Sequence, residues 1–143
     1  MSQLTPEQKV ELKKLLIQHE GLRYKPYKDI YGNTTIGIGR NLSGKGVDPS
    51  EVDLMYQNDV DYFYSELCQF DWYLKLNEAR QIALIDMAFM GWQKFLEFEK
   101  MIEYLEEEKY DHAALEILSS DYAKEVGHRA TDLANIIHTG KFS

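Results

Sequence analysis

The stretch EGLRYKPYKDIYGNTTIGIG, residues 20–39, decides how the rest of the chain is organised. It begins with an acid, Glu20, and a second acid, Asp29, follows after eight intervening residues. A hydroxyl, Thr35, follows after five more. The turn residues at 31–33 and the β-branched, glycine-punctuated run after them predict a β-hairpin. Two carboxylates and a hydroxyl, placed at a helix end and on a small sheet, can flank a cleft.

The residues before this stretch predict a helix that ends at Glu20. Thr5 is suited to the N-cap, a proline follows at the first helical position, and Gln8 is placed for a capping box. Gly21 is a natural helix stop. A helix C-terminus carries partial negative charge, which favours the protonated carboxyl that a general acid needs. Helical spacing also predicts one buried face on this helix, formed by Leu12, Leu15, Leu16 and His19.

The rest of the chain is predicted to be mainly helical, with a short third strand near residues 40–43. The strongest helix start is Asp48-Pro49, and that helix is expected to run to about Phe70. Further helices are predicted at about 78–90, 95–107, 110–118 and 132–138. We therefore expect an α+β fold in one domain, residues 1–143, in which a long interlobe helix joins two lobes. The expected parts are a small sheet lobe at about 21–48, the interlobe helix at about 49–70, and a helical lobe at about 71–143 to which the N-terminal helix is added.

Composition and charge exclude several classes of function. The net charge is −8 and no basic face is visible, so no nucleic-acid partner is expected. The polar N-terminus lacks the apolar core of a signal peptide, and no apolar run is long enough for membrane insertion. A single cysteine, Cys68, allows no internal disulfide. The four histidines show no metal-ligand spacing, so neither a metal nor a cofactor is expected.

Glu20, Asp29 and Thr35 are of the residue types that glycoside hydrolysis requires. That reaction needs a proton donor to the leaving oxygen and a carboxylate that attacks or helps to activate water. A hydroxyl can hold the water. The spacing alone is weak, because surface acids beside a hairpin would give the same pattern.

Four segments extend the pattern over nearly the whole chain. They are HEGLRYKPYKDIYGNTTIGIGRNL (19–42), YQNDVD (56–61), ALIDMAFMG (83–91) and HRATDLANIIHTGKF (128–142). Together they resemble the phage T4-type lysozymes, the endolysins that cut peptidoglycan. The resemblance implies a lysozyme-like two-lobe fold and an inverting muramidase. It also implies that Glu20 is the general acid, Asp29 the second carboxylate and Thr35 the water-positioning hydroxyl.

The resemblance implies roles for three residues outside this triad. Arg129 matches a family arginine that faces the catalytic glutamate from the far lobe. Arg40 stands where the family often has a histidine paired with an aspartate, here Asp59. We therefore expect an Arg40–Asp59 ion pair that links the small sheet to the interlobe helix, and that does not titrate as a histidine pair would.

The sequence leaves rival functions open. A lytic transglycosylase also uses a glutamate acid but has no need to position a water, and a catalytically silent wall-binding or particle module would not need the triad. The expected partner is the glycan strand of peptidoglycan, bound by a monomer. We expect the protein to be made in a host cytoplasm and to act in the periplasm, after holin-dependent release or attached to a delivery particle.

Overall fold

Helices dominate the part of the chain that the computed structural model describes, residues 3–142, and a small sheet lies near its N-terminus. This confirms the predicted mainly helical α+β class. The chain divides into two compact units, an N-terminal unit of residues 1–54 and a C-terminal unit of residues 55–143. Each is described by itself below. None of the described helices combines the length and apolar character needed to cross a membrane.

The N-terminal unit consists of one helix, a three-stranded sheet and the start of a second helix. In chain order these are α1 (Pro6–Glu20), β1 (Arg23–Lys28), β2 (Thr34–Gly37), β3 (Arg40–Asn41) and α2 (Pro49–Leu67), which continues beyond the unit. The sheet is antiparallel in the order β1-β2-β3, so the central strand is the one that carries Thr35.

The predicted cap of α1 is confirmed. The Gln8 backbone N–H donates to Thr5 Oγ1 at 3.1 Å, and the Thr5 N–H donates to Gln8 Oε1 at 2.9 Å. The helix ends at Glu20, where the Gly21 N–H donates to the Ile17 carbonyl at 2.8 Å. These local interactions fix the position of Glu20 at the helix end.

The predicted buried face of α1 is wrong. No residue of α1 is buried, and the expected core residues Leu12, Leu15 and Leu16 are between 37% and 48% exposed. Val10 and Ile17, seven residues apart, lie on the opposite side of the helix, so the apolar side chains do not form one stripe.

Helix α2 begins at Pro49, as predicted, and ends at Leu67, three residues before the expected end at about Phe70. The Asp48 N–H donates to Glu51 Oε1 at 2.8 Å, which is one half of a capping box. Glu51 thus lies in the first turn of the helix.

The C-terminal unit is entirely helical beyond α2. Its helices are α3 (Asp71–Leu74), α4 (Glu78–Ala88), α5 (Trp92–Leu96), α6 (Glu99–Glu106), α7 (Tyr110–Leu118), α8 (Asp121–Val126) and α9 (His128–Thr139). They enclose a core whose largest fully buried side chains are Tyr73, Phe95, Leu67, Leu84, Met87, Met101, Leu105, Ile117 and Ile137. Helix α4, within the segment predicted as a helix at about 78–90, has five buried residues.

Several predicted helix boundaries in this unit differ from the structure. The expected helix at 95–107 is two helices, Trp92–Leu96 and Glu99–Glu106, with Glu97 and Phe98 between them. The final helix begins at His128 rather than at residue 132, directly after Gly127, which has φ +58°. Helices α3 and α8 were not predicted, because four and six residues are too few for a helical period to show.

Candidate active site

Asp29 lies just after β1, where the hairpin turns. Its Oδ1 accepts hydrogen bonds from the backbone N–H of Asn33 at 2.8 Å and of Tyr31 at 2.9 Å. The Asn33 side-chain amide lies 3.4 Å from Oδ2. These donors, the Asn33 N–H first among them, hold the pKa of the Asp29 carboxyl below its usual value, against a smaller opposing effect of partial burial. Asp29 is therefore a carboxylate at neutral pH.

Thr35 is the one buried polar residue of the described chain, at 3% exposure. It lies on the central strand, opposite Tyr27 on β1 and opposite Asn41 on β3. Its Oγ1 donates to the Asn33 carbonyl at 3.0 Å. Since that bond uses the only hydroxyl proton, the remaining capacity of Thr35 Oγ1 is as an acceptor.

Asn33 links Asp29 to Thr35. Its carbonyl accepts from Thr35 Oγ1 and from the Asp29 backbone N–H, the latter at 3.0 Å, while its own N–H donates to the Asp29 carboxylate. The two predicted strand-borne site residues are thus held by one intervening residue. The sequence reasoning assigned Asn33 to the turn and missed this role, although an Asp followed four residues later by an Asn is a spacing at which such side chains bind turn backbone.

Glu20 lies against the turn between β2 and β3. A Cβ built on Gly39 would lie 3.2 Å from Glu20 Cγ and 3.5 Å from Glu20 Oε2, so the acid occupies space that a side chain at residue 39 would need. The Glu20 side chain is exposed. Glu20, Asp29 and Thr35 all belong to the N-terminal unit.

The structure gives Arg40 a different partner from the predicted Asp59. Arg40 Nη1 lies 2.6 Å from Glu51 Oε1 and also donates to the Gly46 carbonyl at 3.1 Å. Glu51 is in the first turn of α2, whereas Asp59 is eight residues, or about 12 Å, further along the helix axis. The link between sheet and helix is therefore made at the helix start, and its partner was predicted wrongly.

Arg129, in the C-terminal unit, is held by Asp86 of α4. Arg129 Nε donates to Asp86 Oδ1 at 2.8 Å, and Nη2 donates to the Asp86 backbone carbonyl at 2.7 Å. Sequence reasoning missed Asp86, because a pairing 43 residues apart leaves no local signal. That Arg129 faces the catalytic glutamate stays a prediction.

Arg129 also lines a cavity of about 720 Å³ within the C-terminal unit, beside Met90, Phe98 and Tyr122. Five acidic and three basic side chains are among the residues that line it. Within residues 3–142, no group of three or more His, Cys, Asp or Glu side chains is placed to hold a metal ion.

Comparison with known proteins agrees with this fold. A small N-terminal sheet followed by a helical unit is the architecture of lysozyme-like glycoside hydrolases. The phage lysozyme family matches residues 17–135, which include all three triad positions, and the chain belongs to that family. At the level of the family, it is a lysozyme that acts on peptidoglycan.

Two relatives come from the amoeba Dictyostelium discoideum. They are described as probable T4-type lysozyme 2 and probable T4-type lysozyme 1. Each is 26% identical to this chain over 160 aligned positions, which cover 90% of this chain and 94% of the relative. The likeness therefore extends over nearly the full length of both proteins.

Proposed function

We propose that the protein is a muramidase that hydrolyses the β-1,4 bond between N-acetylmuramic acid and N-acetylglucosamine in peptidoglycan. Family membership supports the substrate. The observation that carries the mechanism is the joint positioning of the Asp29 carboxylate and the buried Thr35 hydroxyl by Asn33. A module that only bound the wall would have no use for a carboxylate and a buried hydroxyl that are held by the same residue.

Glu20 is the proposed general acid. It is the last residue of α1, and its side chain lies against the turn that carries Gly39. Its side chain is exposed, so a glycosidic oxygen can reach it. In the proposed reaction, Glu20 gives its proton to that oxygen as the bond to the anomeric carbon breaks.

Asp29 and Thr35 are the proposed holders of the attacking water. Asp29 remains ionised, so it can accept a proton from the water as the new bond forms. Thr35 Oγ1 can only accept a further hydrogen bond, since it donates its own proton to Asn33. A water that donates to both groups keeps its lone pairs free for the anomeric carbon, and attack from the face opposite the leaving group inverts the configuration.

The test of this proposal is the Glu20→Gln substitution. The amide keeps the shape of the side chain but has no acidic proton, so muropeptide release from purified peptidoglycan should fall by a factor of about 100 or more. Thermal unfolding should stay near that of the wild type, because the side chain is exposed. Glu7→Gln, an amide substitution in the first turn of the same helix, is the matched control and should retain full activity.

Mass spectrometry of the products separates the rival enzymes. Hydrolysis leaves a reducing muramic acid end, whereas a lytic transglycosylase leaves a 1,6-anhydro end. Anhydro products would refute the water-based mechanism, and an active Glu20→Gln protein would refute the assignment of the acid.

We also propose that the protein reaches its substrate as a monomer, through a membrane-permeabilising partner or as part of a delivery particle. The acidic chain supports this, since a net charge of −8 gives no general attraction to an anionic wall. A shift in sedimentation to a dimer at working concentration would contradict the monomer.

A further inference from the structure

The tip of the hairpin carries two large apolar side chains that remain almost fully exposed. Ile30 is 90% exposed and Tyr31 is 82% exposed. Apart from Tyr24, every other large apolar side chain of the described residues is 63% exposed or less. Both residues directly follow Asp29, the proposed base. Neighbouring apolar side chains left in water beside a functional group are typical of a ligand-binding surface.

The local structure does not account for these two side chains. Ile30 and Tyr31 are the central residues of a β-turn, which is closed by the Gly32 N–H donating to the Asp29 carbonyl at 3.0 Å. Small polar residues, glycine and proline meet the conformational needs of such a turn. Since neither the turn nor burial requires an isoleucine and a tyrosine here, a ligand is the remaining reason for their presence.

Tyr31 is tied to the proposed base through its backbone. Its N–H donates to Asp29 Oδ1 at 2.9 Å. With standard bond lengths, the centre of the tyrosine ring then lies no more than about 8 Å from that oxygen in any rotamer. The backbone of Tyr31 is therefore fixed beside the carboxylate, while its ring stays accessible from the solvent.

A sugar at the proposed site comes within reach of this ring. An attacking water held by Asp29 at hydrogen-bond distance places the anomeric carbon within about 6 Å of the carboxylate. Because both distances start from the same carboxylate, the ring can contact the reacting sugar or the next sugar along the strand. The faces of a β-linked pyranose expose C–H groups, and such groups pack well on the electron-rich face of an aromatic ring.

We propose that Tyr31 is a binding residue for the glycan strand, and that its ring stacks on the face of a sugar at or next to the bond that is cleaved. This inference rests on the proposed function, since it names a contact for the same substrate. The stacked contact is made equally in the bound substrate and in the transition state, so its loss raises KM and leaves kcat unchanged. The hydrogen bond to Asp29 comes from the Tyr31 backbone, so substitution of the side chain retains it.

The experiment measures kcat and KM on peptidoglycan fragments for three variants. For Tyr31→Ala we expect KM to rise by about fivefold or more, with kcat within about twofold of the wild type. Tyr31→Phe keeps the ring and should keep the wild-type KM. The control is Tyr24→Ala, which removes a side chain that is 85% exposed but lies about 15 Å back along β1, and it should change neither constant. All three variants should unfold near the wild-type temperature, because both side chains are exposed.

A binding measurement identifies the part of the substrate that the ring contacts. In a Glu20→Gln background, calorimetry compares glycan oligosaccharides that carry stem peptides with the same oligosaccharides after the peptides are removed. Tyr31→Ala should weaken the affinity for both by a similar factor. A loss seen only with the peptide-bearing fragments would show that Tyr31 contacts the stem peptide, and would overturn the inference.

Several kinetic outcomes also overturn the inference. They are a wild-type KM in Tyr31→Ala, an equal rise in KM in Tyr24→Ala, and a Tyr31→Phe protein as impaired as Tyr31→Ala. Each of these leaves the proposed function intact, provided that the wild type releases muropeptides and Glu20→Gln does not. If the wild type releases none, or Glu20→Gln is as active as the wild type, the proposed function fails and takes the inference with it.

Discussion

Asn33 determines the chemical state of both residues to which it bonds. By donating its N–H to Asp29, it stabilises the ionised carboxylate; by accepting from Thr35, it leaves that hydroxyl only its lone pairs. Both effects use the Asn33 backbone, so they depend on the course of the chain through the turn. The difference between the proposed base and the proposed water holder therefore depends on the backbone of the hairpin.

Gly39 is a position where an added side chain would crowd the proposed acid. It has φ +73°, and an added Cβ would lie 3.2 Å from Glu20 Cγ. We predict that Gly39→Ala lowers stability by about 1–2 kcal/mol through backbone strain. It should also lower muropeptide release by about tenfold, because the Glu20 carboxyl must move away from the new methyl group.

The control for this substitution is Gly46→Ala. Gly46 has a similar φ of +70°, but its added Cβ would meet nothing closer than the Leu42 carbonyl at 3.9 Å. It should show a similar loss of stability in denaturant unfolding with activity close to wild type. Equal activity losses in the two variants would show that strain, and not displacement of Glu20, is responsible.

At the scale of elements, the Arg40–Glu51 pair joins β3 to the start of α2. Glu51 accepts from Arg40 and from the Asp48 N–H, and these bonds, the Arg40 bond first, lower the pKa of its carboxyl from 4.5 to about 2. A carboxyl whose pKa is lowered by folding adds stability that is complete above its unfolded pKa. That stability is lost as the pH falls from about 4.5 towards about 2.

A double-mutant cycle tests this pair. We expect Arg40→Ala and Glu51→Ala to be non-additive in urea unfolding at pH 6, because each removes the same interaction. The coupling free energy between the two substitutions should decrease as the pH is lowered from about 4.5 towards about 2. The cycle of Arg40→Ala with Asp59→Ala is the control, and it should be additive; coupling there, and none with Glu51, would restore the partner first predicted from the sequence.

Sequence reasoning succeeded where a structure is determined by neighbours in the chain. The cap of α1 at Thr5, the start of α4 after Asn77 and the full extent of α7 depend on interactions within a few residues. It failed where the partner is distant or the element is short. Asp86 and Glu51 could not be identified as partners of arginines, since many acids in this chain had the same local context and only the fold selects one.

At the scale of the whole molecule, the net charge of −8 affects how the protein approaches an anionic wall. Attraction between a basic enzyme and an anionic wall is screened by salt, so it weakens as ionic strength rises. With a net charge of −8, this protein has no such attraction to lose. Its binding must therefore depend on short-range contacts with the glycan strand.

We therefore predict that muropeptide release changes by less than about twofold between about 30 mM and about 300 mM salt, or rises slightly as repulsion is screened. The matched variant carries Glu103→Lys and Glu106→Lys, two exposed positions of α6 outside the proposed site. Because each reversal adds two positive charges, this variant should bind the wall faster at low salt and lose that gain at high salt. A wild-type rate that falls steeply with salt would instead show that a local positive surface, and not the net charge, governs the approach to the wall.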